Sequence, residues 1–116
     1  MQTFSVKLES ETVSIENSAG VSEEYKISEL TGDNLEVYFN TQRDKMDIKA
    51  DGTVSMKDYK GIYTSLLVLT VTGPDEKPVS LTLLKSWPSR VQKALFEIAQ
   101  RLNGLNVEAK EEAKND

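Results

Sequence analysis

Three carboxylates between two predicted helices, Asp47, Asp51 and Asp58, have the spacing that most resembles a cation site. A calcium loop needs oxygen ligands at its first, third and fifth positions and a bidentate Glu at its twelfth, whereas this segment has Lys49 at the third and the shorter Asp58 at the twelfth. A lysine there repels the ion, so the segment reads as an Asp-Gly turn at Asp51-Gly52. A second acidic group, Glu23, Glu24, Glu29, Asp33 and Glu36, would need two members converging in a cleft to act as general acid and base. Nothing in the spacing fixes such a pair, and carboxylates on strands and at helix starts are ordinarily solvated.

The chain has neither histidine nor cysteine, which removes the commonest general base, thiolate nucleophiles, disulfides and the usual zinc ligands. No Gly-x-Ser-x-Gly elbow is present, and Gly32, Gly52, Gly61, Gly73 and Gly104 stand isolated rather than forming a phosphate-cradling loop. Ser86 and Ser89 flank Trp87-Pro88 and read as helix-capping residues. Trp87 itself admits two readings, an interface anchor or a staple packed on the last helix. These absences lead to the expectation of a non-enzymatic protein with no cofactor and no metal site.

Composition narrows the class further. At 116 residues a chain buries roughly two thirds of its unfolded surface, enough for one core but not for a deep substrate cavity as well. The net charge of −5 is uneven, with residues 1–36 at −6, residues 78–105 at +3 and residues 106–116 at −2. The last helix carries Arg90, Lys93 and Arg101, but the acidic remainder disfavours nucleic acid, whose affinity comes from neutralised phosphates. A protein partner or self-association fits the charge asymmetry better. No apolar run approaches the ~18 residues of a membrane span, and Met1 to Leu8 lacks the basic start and apolar core of a secretory signal. The expected location is the cytoplasm, away from membranes.

The elements that must position any site follow from periodicity. Val13 and Ile15, then Tyr25 and Ile27, alternate with polar residues around Asn17-Ser18-Ala19-Gly20, predicting an antiparallel hairpin over Glu11–Leu30. Phe4, Val6 and Leu8 alternate too, and are read as a third strand or an extension of the first. Leu35, Tyr38, Phe39, Gln42 and Met46 predict a helix over 31–48 with an aromatic inner stripe. A second helix is expected from Ser55 or Met56 to about Thr70, apolar on almost every side from Ser65 to Val71. Beyond the Gly73–Pro78 loop, Val79–Lys85 reads as a short helix, and Trp87-Pro88-Ser89 opens a final helix ending at Asn103-Gly104. The fold class is therefore α+β: an N-terminal antiparallel β-hairpin or small sheet packed on three to four helices. Residues 1–105 form one domain and residues 106–116 an acidic tail expected to be disordered.

The order of elements, with Glu29-Leu30-Thr31-Gly32 before the first helix, Lys57-Asp58-Tyr59-Lys60-Gly61 before Leu66-Leu67, and a proline-rich break, resembles the tail assembly chaperones of long-tailed bacteriophages. The likeness spans about residues 11–105. Its most specific part runs from Leu84-Lys85-Ser86-Trp87-Pro88-Ser89-Arg90-Val91-Gln92-Lys93-Ala94-Leu95-Phe96 to Leu102-Asn103-Gly104-Leu105. The resemblance implies binding of the tape measure protein to prevent its aggregation, recruitment of tail-tube subunits, homo-oligomers, and absence from the mature virion. In several relatives a ribosomal frameshift makes a longer product, and Asn106 is where such forms would diverge. Candidate contacts for an apolar client are Leu66, Leu67, Leu69, Trp87, Leu95 and Phe96, all of which can equally be core residues. The alternative is a permanent structural adaptor or connector subunit of a phage or prophage particle. A weaker third reading is a small cytoplasmic regulator or immunity-type binder.

Overall fold

The computed structural model describes residues 1–105; the expected disordered tail from Asn106 lies outside the described residues. Two strands, β1 (Ser10–Glu16) and β2 (Ser22–Ser28), form the predicted hairpin, with Val13 opposite Tyr25 and Glu11 opposite Ile27. Its turn is built by Asn17, whose Oδ1 accepts the N–H groups of Ala19 and Val21, while Gly20 adopts φ 81°. The inward face carries Val13, Ile15, Tyr25 and Ile27, and only Ile27 is fully buried.

The third strand is not the Phe4-Val6-Leu8 segment. Residues 1–8 contain no strand, and β2 is flanked instead by β5 (Val71–Thr72), giving the order β1-β2-β5 with Ile27 opposite Val71. Val71 lies on the apolar stripe of the expected second helix and falls just beyond its end at Thr70. Pairing with β2 places its β-branched side chain in the core at 2% exposure, and Val79 N–H bonds to its carbonyl from the opposite side.

Helix α1 (Gly32–Asp44) starts at Thr31, whose hydroxyl caps the Asn34 N–H, with Asp33 in the first turn facing the positive end of the helix dipole. It stops earlier than its apolar spacing predicts. Met46–Ile48 and Val54–Met56 leave the helical path as β3 and β4, an antiparallel pair with Met46 opposite Met56 and Ile48 opposite Val54. Asp51 organises the connection: its carboxylate accepts the Thr53 N–H and hydroxyl, which holds its pKa below the usual value, and Gly52 takes φ 87°. The expected helix from Ser55 is consequently reduced to α2 (Thr64–Thr70), because β4, the Asp58-capped turn and Gly61 at φ 71° occupy the preceding residues.

The C-terminal half follows the sequence closely. Helix α3 (Leu81–Ser86) is capped by the Ser80 hydroxyl on Leu83 N–H, and α4 (Ser89–Leu102) follows after Trp87-Pro88. The serines differ from their expected roles: Ser86 donates back to the Leu83 carbonyl, and Ser89 lies inside α4 with Pro88 at the cap. Gln92 ties the two helices by donating to the carbonyls of Leu84 and Trp87, both at 3.0 Å. At the end of α4, Gly104 adopts φ 66°, its N–H bonds to Arg101 O and that of Leu105 to Gln100 O. This pair of bonds is the Schellman arrangement that closes a helix on a left-handed residue.

Helix α2 is the hub, in contact with α1, α3, α4 and β2. Leu66 and Leu67 on α2, Ile27, Leu84 and Ala99 are fully sealed from solvent, with Val71, Leu95 and Val79 close behind. Asn103 locks the hairpin to α4: its Oδ1 accepts Leu30 N–H at 2.9 Å and its Nδ2 donates to the Ala99 carbonyl. Asn103→Ala would strand a half-buried N–H, and it is expected to cost about 1–3 kcal/mol in urea unfolding. A change within experimental error would mean that water replaces the amide without loss.

Candidate functional site

Of the six candidate contacts, three belong to the interior. Leu66 and Leu67 are fully buried and Leu95 is 4% exposed, so a partner reaches them only if the core opens. Two more support aromatic packing while half-buried. Trp87 sits edge-on to Tyr25 with centroids 5.3 Å apart, so it braces the sheet, a contact that neither sequence reading of this tryptophan named. Phe96 packs on Tyr63 at 5.2 Å, which makes Phe96→Asp a test of stability rather than of client binding. Leu69 faces a groove between helices, and Trp87 lines a separate recess beside the sheet.

That groove runs between α1, α2 and α3 and encloses about 360 Å³. Its apolar lining is Val37 from α1, Val68 and Leu69 from α2 and Leu81 from α3, with Val37 51% and Leu81 40% exposed. Each wall arises from a different local rule. Helix α2 is apolar around most of its circumference, and its first stripe, Leu66 and Leu67, fills the core, leaving Val68 and Leu69 half-buried at the core's margin, where they also line the groove. On α1, Tyr38 turns inward, where burial raises its phenol pKa, so the neighbouring Val37 and Phe39 emerge toward solvent. Leu81 is the first residue of α3, placed there by the Ser80 cap.

Charged side chains line the groove as well. Lys45, Lys60 and Lys85 line it together with Asp58, giving a cationic rim on a chain whose net charge is −5. The Lys45 ammonium donates to the Lys60 carbonyl, fixing the loop ahead of α2. Gly61 serves this contact twice over, since its φ of 71° is left-handed and a Cβ would meet Lys45 Nζ at 3.2 Å. The groove has apolar walls for aliphatic side chains and no pair of carboxylates positioned for proton transfer.

A second recess of about 700 Å³ lies where β1 and β2 meet the α3–α4 joint, lined by Ile15, Tyr25, Leu83, Trp87 and Val91 with polar neighbours. Burial, helped by Glu23 and Asp75, raises the Tyr25 phenol pKa. The recess mixes more polar groups into its wall than the groove does. Val37 and Leu81 were missed in the sequence, although Val37-Tyr38-Phe39 gave one signal: three consecutive apolar residues cannot all face inward on a helix.

Among the described residues, no group of three acidic side chains gathers to hold a metal, and no helix is long and apolar enough to cross a membrane. Compared with known proteins, the chain matches no family model, no curated protein and no solved structure.

Proposed function

We propose that this chain is a phage tail assembly chaperone that binds the tape measure protein, prevents its aggregation and helps recruit tail-tube subunits, working in the bacterial cytoplasm as an oligomer and leaving before the virion matures. The observation that carries the reading is the uncovered apolar groove of Val37, Val68, Leu69 and Leu81, in a chain that has neither histidine nor cysteine. An amphipathic helix of a client could seat two or three side chains there, as helix-in-groove complexes do. The sequence resemblance across residues 11–105 supplies the client's identity, and the groove supplies a physical means of shielding it.

The mechanism is mass action. Each bound apolar helix face is withdrawn from the pool that aggregates, so free client falls as chaperone rises, without covalent chemistry or energy input. Co-expression with a candidate tape measure protein tests the reading, with client solubility and complex mass as readouts. A soluble client in a defined complex is the expected result. An insoluble client beside a folded, unbound chain would instead favour the permanent adaptor, which remains in purified particles.

A further inference from the structure

Three hydroxyl side chains line the groove between α1, α2 and α3, and two of them are already engaged. Thr41 donates to the Val37 carbonyl at 2.9 Å, and the Ser65 hydroxyl accepts the Gln42 side-chain amide at 3.1 Å. Thr64 differs, because it is 4% exposed and its hydroxyl has no hydrogen-bond partner among the described residues. A helical threonine can donate to the carbonyl four residues back, as Thr70 does to Leu66 at 3.0 Å. For Thr64 that carbonyl belongs to Lys60, and the Lys45 ammonium occupies it. A buried hydroxyl left without a partner is costly, and an acceptor entering the groove would satisfy it.

Cations surround this hydroxyl. A Cβ on Gly61 would stand 3.4 Å from Thr64 Oγ1 and 3.2 Å from Lys45 Nζ, so the glycine leaves both atoms beside one open position. Lys60 and Lys85 line the same groove, and both are exposed. Among the described residues the ion pair is that of Arg101 with Glu11, so none of the three lysines is matched by a carboxylate there. Asp58 is the groove's anion, and its Oδ1 already accepts the Lys60 N–H at 2.9 Å. Three cations against one anion is opposite in sign to the chain as a whole, at −5. The cluster is also set in place beforehand, since Lys57 N–H bonds to the Lys45 carbonyl and the Lys45 ammonium to the Lys60 carbonyl.

We propose that the partner bound in this groove is a helix with an apolar stripe and an acidic side chain beside it, whose carboxylate accepts from Thr64 and is held by the lysines. The aliphatic walls of Val37, Leu69 and Leu81 take the stripe, and the cations take the charge. A carboxylate is the anion that an unmodified polypeptide supplies, and it brings less charge past Asp58 than a phosphate would. The inference rests on the client reading in one respect, that it names the chemistry the client must present. Apolar walls alone do not distinguish one apolar helix from another, whereas a matched charge favours acidic helices and disfavours basic ones.

The test titrates the full chain into two fluorescein-labelled helical peptides that share a leucine stripe and carry either Glu or Gln beside it. Fluorescence anisotropy should show the Glu peptide binding about tenfold more tightly at low salt, the combined effect of several exposed charge contacts. That advantage should shrink at ~0.5 M salt. The double variant Lys60→Gln, Lys85→Gln should bring the Glu peptide to the Gln level and leave the Gln peptide unchanged. Thr64→Val removes a hydroxyl that has no partner in the free chain, so it should narrow the Glu preference with the thermal midpoint unchanged or higher. Equal affinity for the two peptides, binding of neither, or a Glu preference that survives the double lysine variant would each overturn the proposal. So would a fall in the chain's own mass, or shifts of the amides of residues 106–116, when peptide is added, because a second copy or the chain's own tail would then be the occupant. Capture of tape measure protein is scored separately: capture without a Glu preference ends this inference alone, and a Glu preference without capture ends the client assignment alone.

Discussion

Leu67→Ala is expected to lower folding stability by about 2–5 kcal/mol, read from urea unfolding at constant slope. Domains of this size have only about 5–15 kcal/mol in total, so the variant should be partly unfolded at modest temperature. The magnitude follows from position. Leu67 is fully buried in the α2 hub, which touches three other helices and β2, and these walls come from separate elements that cannot all collapse into the space left by the missing atoms. A loss below about 1 kcal/mol would show that the hub repacks freely, contrary to a tightly filled core. The result also governs the interpretation of binding assays. Substitutions at Leu66, Leu67 or Leu95 that abolish client capture report loss of the fold, whereas Leu69 is half-buried, packed on the core and also lining the groove, so its variants are read together with a folding control.

Local patterns in the sequence were read correctly where one element determined its own form. The Asn17–Gly20 turn between alternating strands and the Asn103-Gly104 stop of α4 each depend on bonds made within a few residues. The errors arose where a distant segment decided. Tyr59, Ile62, Tyr63, Leu66 and Leu67 do fall at helical spacing, but Val54 and Met56 are claimed by Ile48 and Met46 across a hairpin, and Gly61 blocks the helix from extending back to them. Val71 continues an apolar helical run in the sequence, yet Ile27, far away in the chain, draws it into the sheet. Phe4, Val6 and Leu8 have a strand's alternation without a strand's partner within the chain. The groove was legible in the same partial way. Leu69 was recognisable on an all-round apolar helix, but its union with Val37 and Leu81 depends on how three helices pack, which no single periodicity encodes.

Leu69→Asp is expected to reduce client capture at least tenfold while the chain keeps its helical signal, with the thermal midpoint lowered by several degrees because Leu69 is half-buried against the core. Withdrawing a leucine from an apolar contact forfeits about 1.5–3 kcal/mol, and each 1.4 kcal/mol is a factor of ten in affinity. A carboxylate in the groove adds its own desolvation cost once a helix covers it, which the cationic rim of Lys60 and Lys85 offsets in part. Leu81→Asp, on the facing wall, should act in the same direction because its side chain is already 40% exposed and contributes little to the core. The measurement is the amount of tape measure protein held in solution by tagged wild-type and variant chains at equal concentration. Undiminished capture by both variants would remove the groove from the client site and leave the recess beside Trp87 as the next surface to test. Capture lost together with the helical signal would instead place Leu69 among the structural residues of α2, and Leu81→Asp alone would then decide whether the groove binds.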